Sequence, residues 1–379
     1  MRALAISDMH FGAWTGDPLL RHRFALDALG PHLDGIDELI LLGDVFDLLF
    51  ASVEDAFAQA EPFFDLLADK LRGKRVVFLA GNHDHHIVVR SLRAAVELKI
   101  ATGAKAEEFA DLFGMQHQNF FQRFLDRKLR GVESEIVYPT YRVGNVLLSH
   151  GHYLDAHLQN SLGNRLLARS AWRVAGGRPQ AMLSIADYES VIVPLTELLF
   201  TVAQMPRGTM AQQAFYAQFR RLGRLLDLPG AARRLGRQVV RGRGRTNGHG
   251  TAPHTLHHAQ QQHDLPGVRA CDPAAPVAIG IEAYAQVVRT LGWDEGVEHM
   301  VFGHTHQPLD GICEASDTIR FWNTGSWIYE PPKGPPDLYH ERAWPGTGVL
   351  IDTDCDSPIL VEMLARGELR AAAKIAERV

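Results

Sequence analysis

"KRVVFLAGNHDHH", residues 74–86, decides how this chain is read. A short apolar run, Val76 to Ala80, stops abruptly at Gly81, Asn82, His83, Asp84, His85 and His86. Such a run, bounded by turn-forming residues, reads as a buried strand. The amide, carboxylate and imidazoles after it add nothing to an apolar core, so they imply binding. The same form recurs. "RALAIS" leads into Asp8 and His10, and "DELILLGD" into Asp44 and Asp47. "YRVGNVLLSHGH" (141–152) is read as one strand ending in His150 and His152, and "VEHMVFGHTH" (297–306) as one ending in His304 and His306. "TIRFWNTGSW", "TGVLIDTD" and "SPILVEML" add further strand signals. Candidate helices precede the second and third runs, which is the rhythm of an α/β sheet with polar residues at the C-terminal strand edge.

Composition sets the outer bounds. The 379 residues are long for one domain and short for three, and an apolar fraction of 46% supports a sizeable core. A net charge of −5 gives no global basic field for nucleic acid. Cys271, Cys313 and Cys355 are widely spaced and read as free thiols in a reducing cytosol. The N-terminus looks like a first strand, not a signal peptide. The most apolar stretch, residues 182–200, carries Asp187, Glu189 and Glu197, which argue for a buried or interfacial helix and against a membrane span. A cytoplasmic protein, peripheral at most to the inner face of the membrane, is expected.

The strand rhythm breaks between residues 155 and 275. Leu162, Leu166, Leu167 and Trp172 supply an apolar helical face, and residues 231–267 then turn rich in Arg, Gly, His and Gln. The expected organisation is a discontinuous core, 1–154 and 276–379, with 155–275 inserted as a helical cap and loose linker. Nine arginines face one acidic residue, Asp227, over 220–245. A solvated linker is the preferred reading of that run, with anionic lipid or nucleic acid as the alternative.

The polar strand ends make a ligand set. In an extended segment residues i and i+2 share a side, so Asp8 with His10, and His304 with His306, can each aim a pair into one space. Carboxylate, amide oxygen and imidazole without thiolate suit Mn²⁺, Fe or Zn²⁺. Glycines before Asp44, Asn82 and His304 permit sharp turns. Asp84 reads as a residue that fixes its loop. His85 and His86 read as surface or helix-start residues, and His152 as a neighbour of His150.

Taken in order, D-x-H, G-D, G-N-H-D, a later His and G-H-x-H resemble the calcineurin-like metallophosphoesterase superfamily, over all of the chain except residues 155–275. The resemblance implies a four-layer α/β/β/α sandwich and a dinuclear centre of two divalent ions, with manganese the first expectation. Carried over by position, Asp8, His10, Asp44 and His306 would hold one ion. Asp44, Asn82, His150 and His304 would hold the other, with Asp44 as the bridge. The resemblance also implies hydrolysis by metal-activated hydroxide, His83 assisting the leaving oxygen and Asp47 orienting His83.

The two residues after Asp47 narrow the substrate. Phosphoprotein phosphatases of the superfamily place Arg-Gly there, whereas this chain has Leu48 and Leu49. "GDVFDLLF", "HGHYLD", "GHTHQP" and "NTGSW" look more like the branch containing UDP-2,3-diacylglucosamine pyrophosphatase, although that enzyme has Arg where this chain has His83. A phosphodiester or pyrophosphate substrate is expected, lipid-linked in that branch, with the cap contacting membrane. Arg165, Arg169 and Arg173, at i, i+4 and i+8, could grip phosphate or form a solvated face. The alternatives are a DNA nuclease, a cyclic-nucleotide phosphodiesterase, and a metal-binding scaffold without activity.

Overall fold

The run "ELILL", Glu38–Leu42, is buried at all five positions, as a strand covered on both faces requires. The computed structural model describes residues 1–13, 16–88, 120–157, 183–205, 210, 281–313, 319–330 and 344–365. Within them β1 (Arg2–Ile6), β3 (Glu38–Leu42), β4 (Arg75–Leu79) and β5 (Glu133–Val137) are parallel neighbours. Antiparallel β12 (Thr347–Asp352) and β13 (Ile359–Glu362) extend the β1 edge, giving the order β13-β12-β1-β3-β4-β5. A second sheet contains β6 (Thr140–Val143), β7 (Val146–Ser149), β8 (His299–Phe302), β9 (Leu309–Ile312) and β10 (Arg320–Asn323). Its order is β6-β7-β8-β10-β9, with β7, β8 and β10 parallel. A short pair joins β2 (Asp17–Pro18) to β11 (Ile328–Tyr329).

Strand alternation sorts the core into layers. Ala3, Ala5, Ile40, Leu42, Val77 and Leu79 meet Val146, Leu148, Val301 and Trp322 between the sheets. The intervening Leu4, Ile6, Leu39, Leu41, Val76 and Phe78 pack on the helical side, with α1 (Arg23–Asp34), α2 (Val53–Lys70) and α3 (Phe120–Lys128). There the Phe78 and Phe121 rings stand 4.4 Å apart. On the other outer face lies α5 (Ile281–Leu291), whose Tyr284 ring is 4.5 Å from Phe302. The expected α/β sandwich is what forms.

The apolar stretch at 182–200 becomes α4 (Ile185–Ala203), started by Asp187 Oδ2 accepting the Ser184 N–H at 2.9 Å. α4 belongs to the same compact unit as the sheets. A second unit, Gln159–Arg178 with Met205–Leu265, falls almost wholly outside the described residues, and with it Arg165, Arg169, Arg173 and the arginine run. Among the described residues no helix is long and apolar enough to cross a membrane.

Two expectations are corrected, and one strand is added. Residues 141–152 hold not one strand but the end of β6, a turn and β7, because Gly144 adopts φ +59° and reverses the chain before Asn145. β5 lacks the apolar run of the other strands because its sequence "ESEIV" is half polar, as suits an edge strand. Cys313 is disulfide-bonded, leaving Cys355 free; wide spacing in sequence does not keep cysteines apart in a fold.

Candidate metal centre

Five non-glycine residues among those described have positive φ: Asp8 (56°), His10 (51°), Asp44 (51°), His304 (64°) and His306 (57°). All five are predicted ligands. An L-residue in this region is strained, and such strain gathers where a site needs a particular orientation. The left-handed turns also replace the strand alternation expected for the paired motifs. Asp8 and His10 do converge, but His304 and His306 part company. His306 joins Asp8 and His10, while His304 joins Asp44 and His150.

The loops that carry these residues are tied to one another through the backbone. Asp8 N–H donates to Gly43 O (3.1 Å), His10 N–H to Asp44 O (2.9 Å), and Gly303 N–H to His150 O (3.0 Å). Close approach requires glycine at two of the turns. A Cβ on Gly81 would lie 2.1 Å from Asp44 Oδ1, and one on Gly303 would lie 2.7 Å from Asp8 Oδ2. We expect Gly81→Ala to destabilise the fold by about 1–3 kcal/mol through overpacking and to lower bound metal, checked by thermal melts and metal content. Unchanged metal content would show that the loop yields without moving Asp44.

Atoms that can donate electron pairs to a metal converge on two small spaces. His150 donates Nδ1–H to Leu42 O at 2.8 Å, which turns the Nε2 lone pair toward Asp44 Oδ2 (3.3 Å) and Asn82 Oδ1 (3.2 Å). On the other side His10 Nε2 and His306 Nε2 are 3.2 Å apart. Asp8 Oδ1 lies 3.3 Å from His306 Nε2, yet it is buried without a hydrogen bond. Its Oδ2 is satisfied by the Ser7 hydroxyl and by His304 N–H. Converging lone pairs and an orphaned buried carboxylate oxygen are what a divalent cation relieves, so the residues fit such an ion on each side of Asp44. His304 Nε2 is held by Asp155 Oδ1 at 3.0 Å, which leaves Nδ1 as its lone-pair atom.

Electrostatics agree with that reading. Burial would raise the Asp8 carboxyl, but facing His306 and His10 hold it well below the usual range. Asp44 is likewise depressed, its burial outweighed by His150 and His83. Burial would lower His150, yet Asp44 raises it to about 10. A metal ion would take the place of that proton.

The remaining predicted residues fall around this core. His83 Nδ1 is 2.8 Å from Asp47 Oδ1, and the His83 backbone N–H donates to Asp44 Oδ1 at 2.8 Å. Burial works against the imidazolium, but Asp47 and then Asp44 raise it to about 9. Asp84 fixes its loop as expected, accepting from Gly81, Val45 and Phe46 amides. His85 corrects the surface reading, since it is wholly buried and bonded to Glu189 Oε2 at 2.8 Å. Asp155 and Ser7 carry no signal in the sequence, and Glu189 reads there only as a charge against a membrane span. A glutamate inside the most apolar helix was the available signal, because a buried charge needs a partner.

Comparison with known proteins adds the family. Residues 1–191, half of the chain, match the family described as calcineurin-like phosphoesterase. No curated protein matches. Among solved structures the chain is similar to a cold-active protein-tyrosine phosphatase from a psychrophilic Shewanella species, at 13% identity over 93% of this chain and 76% of that one. The TM-score of 0.26 is too low to carry an argument. Taken with the His and Asp groups at the strand ends, the match over residues 1–191 makes this chain a member of the calcineurin-like phosphoesterase family, metal-dependent hydrolases of phosphoric esters.

Proposed function

We infer that the chain hydrolyses a phosphodiester or pyrophosphate bond at a dinuclear centre bridged by Asp44. The supporting observation is the position of that carboxylate. It stands in one donor group with His10 and His83 and in another with His150 and His304. Asp8, His10 and His306 complete one side, Asn82 the other. When bound, two divalent ions would supply Lewis acidity, lowering the pKa of a water so that hydroxide is available to attack phosphorus, and would meet charge on the phosphoryl oxygens. Manganese is our first choice, since imidazole, carboxylate and amide oxygen suit it as well as iron or zinc.

The chain's own residues do the rest. Asp47 accepts Nδ1–H of His83, which orients the ring and leaves Nε2 free to hold the proton passed to the departing oxygen. Raised to about 9, the imidazole stays protonated near neutral pH, as a general acid must. Asp47 is followed by Leu48 and Leu49, both buried, so that loop offers no arginine to grip a phosphate monoester.

The test is hydrolysis of bis-p-nitrophenyl phosphate beside the monoester, after chelation and Mn²⁺ reconstitution. Preference for the diester is the expected result, and nucleotide-sugar lipids, cyclic nucleotides and DNA are then the substrates to compare. Preference for the monoester would overturn the bond assignment.

A further inference from the structure

One buried cluster lies outside the reaction described above. His85, His152 and Glu189 offer donor atoms within 4.8 Å of one another, and each is at most 4% exposed. Two histidines and a carboxylate are a familiar metal set. Here, however, the Tyr138 hydroxyl lies among the donors, 3.2 Å from both His85 Nε2 and His152 Nε2. Both carboxylate oxygens are also engaged. Glu189 Oε2 accepts from His85 Nε2 at 2.8 Å, and Oε1 accepts from the hydroxyls of Tyr138 and Tyr153. Both oxygens of the carboxylate are thus satisfied, in a place where an unpaired one would be costly, while Nδ1 of His85 and of His152 has no partner among the described residues.

Its partners come from different strand ends. His85 sits three residues beyond Asn82 in the loop after β4, which Asp84 braces through the amides of Gly81, Val45 and Phe46. Tyr138 follows β5 of the same sheet. His152 and Tyr153 follow β7 of the other sheet, just past His150. A single carboxylate on α4 therefore joins the loops that carry Asn82 and His150. Among the described residues none of its hydrogen bonds reaches Asp8, His10 or His306. The far end of α4 is anchored separately, Gln204 accepting from Val53 N–H and donating to Ala51 O.

We propose that Glu189 is a positioning residue for one side of the metal centre, setting Asn82 and His150 against Asp44 while leaving the Asp8, His10 and His306 side untouched. The proposal rests on the dinuclear reading. Glu189→Gln keeps size and can still accept from the tyrosines, but it cannot serve His85 as the carboxylate does. Partners that orient metal ligands typically change affinity by about 10- to 100-fold. That loss is expected for one ion only, with the other ion's affinity unchanged.

The experiment is a Mn²⁺ titration of the chelated full-length chain, read by bound metal and by thermal unfolding. Wild type should take two ions. Glu189→Gln should hold the first as wild type does and the second more weakly, with kcat restored by excess Mn²⁺ and KM for bis-p-nitrophenyl phosphate little changed. Tyr153→Phe removes one of the bonds to Glu189 and should weaken the same ion less; it decides the matter if Glu189→Gln fails to fold. Equal loss of both ions, or loss of neither, overturns the proposal. So does a third ion in wild type that vanishes with Glu189→Gln, since the cluster would then be a metal site itself. Wild type that binds no Mn²⁺ would instead defeat the dinuclear reading on which the proposal stands.

Discussion

His83→Ala is expected to lower kcat by about 100- to 10,000-fold, the usual worth of a positioned acid, while two bound ions remain. The ring is not needed to hold its loop. The backbone N–H of residue 83, which meets Asp44 Oδ1 at 2.8 Å, survives the substitution, and Asp84 continues to brace the turn. The measurement is kcat together with metal content on one preparation. Loss of both ions with the activity would remove His83 from the acid role and make it structural.

A pH profile sharpens the same prediction. The protonated form of His83 is present below its raised value of about 9 and is lost as pH rises through it, so kcat should fall on the alkaline side. Bound ions offset the share contributed by Asp44, which brings the limb of the loaded enzyme lower. Asp47→Asn removes the largest influence raising His83 and should move the limb lower still. A limb that ignores Asp47→Asn would assign it to another group.

Asp44→Asn is expected to abolish tight binding at both positions together, by more than the roughly 10- to 100-fold that loss of an outer-shell partner costs. The substitution keeps the shape, and its amide oxygen can still accept from His83 N–H. It also removes a buried negative charge beside Asp84, whose carboxyl is raised to about 7 by burial and by Asp44. That relief is smaller than the loss of the carboxylate that pairs with His150 and His83, so the metal-free variant should melt lower than metal-free wild type near neutral pH. Two ions retained tightly in Asp44→Asn would end its assignment as the bridge.

The strand ends were legible because each is an apolar run broken by ligand-type residues, a pattern local enough to read. Residues 38–42 and 75–79 became neighbouring parallel strands for that reason. Other features depend on tertiary contacts. His304 and His306 serve opposite sides of Asp44 because left-handed turns, not pleat alternation, aim them. Glu189 lies 104 residues from His85 in sequence, and only the packing of α4 against the strand ends brings them together. Gly144 with Asn145, by contrast, is a hairpin signal local enough to read, and the apolar residues on both sides of it hide it.

The five left-handed residues of the candidate metal centre have a bearing on how the chain tolerates change. Each such L-residue costs about 1–2 kcal/mol, and net folding stability is typically about 5–15 kcal/mol. Without an ion at the centre the strain of these turns has no return, and the metal-free protein should be less stable than the metal-bound one. Ion binding restores that margin by mass action. Robustness to substitutions far from the centre, in the helices or the outer strands, should then track the supply of divalent metal, so that a mild core variant harmless in metal-replete cells becomes a folding defect in starved ones.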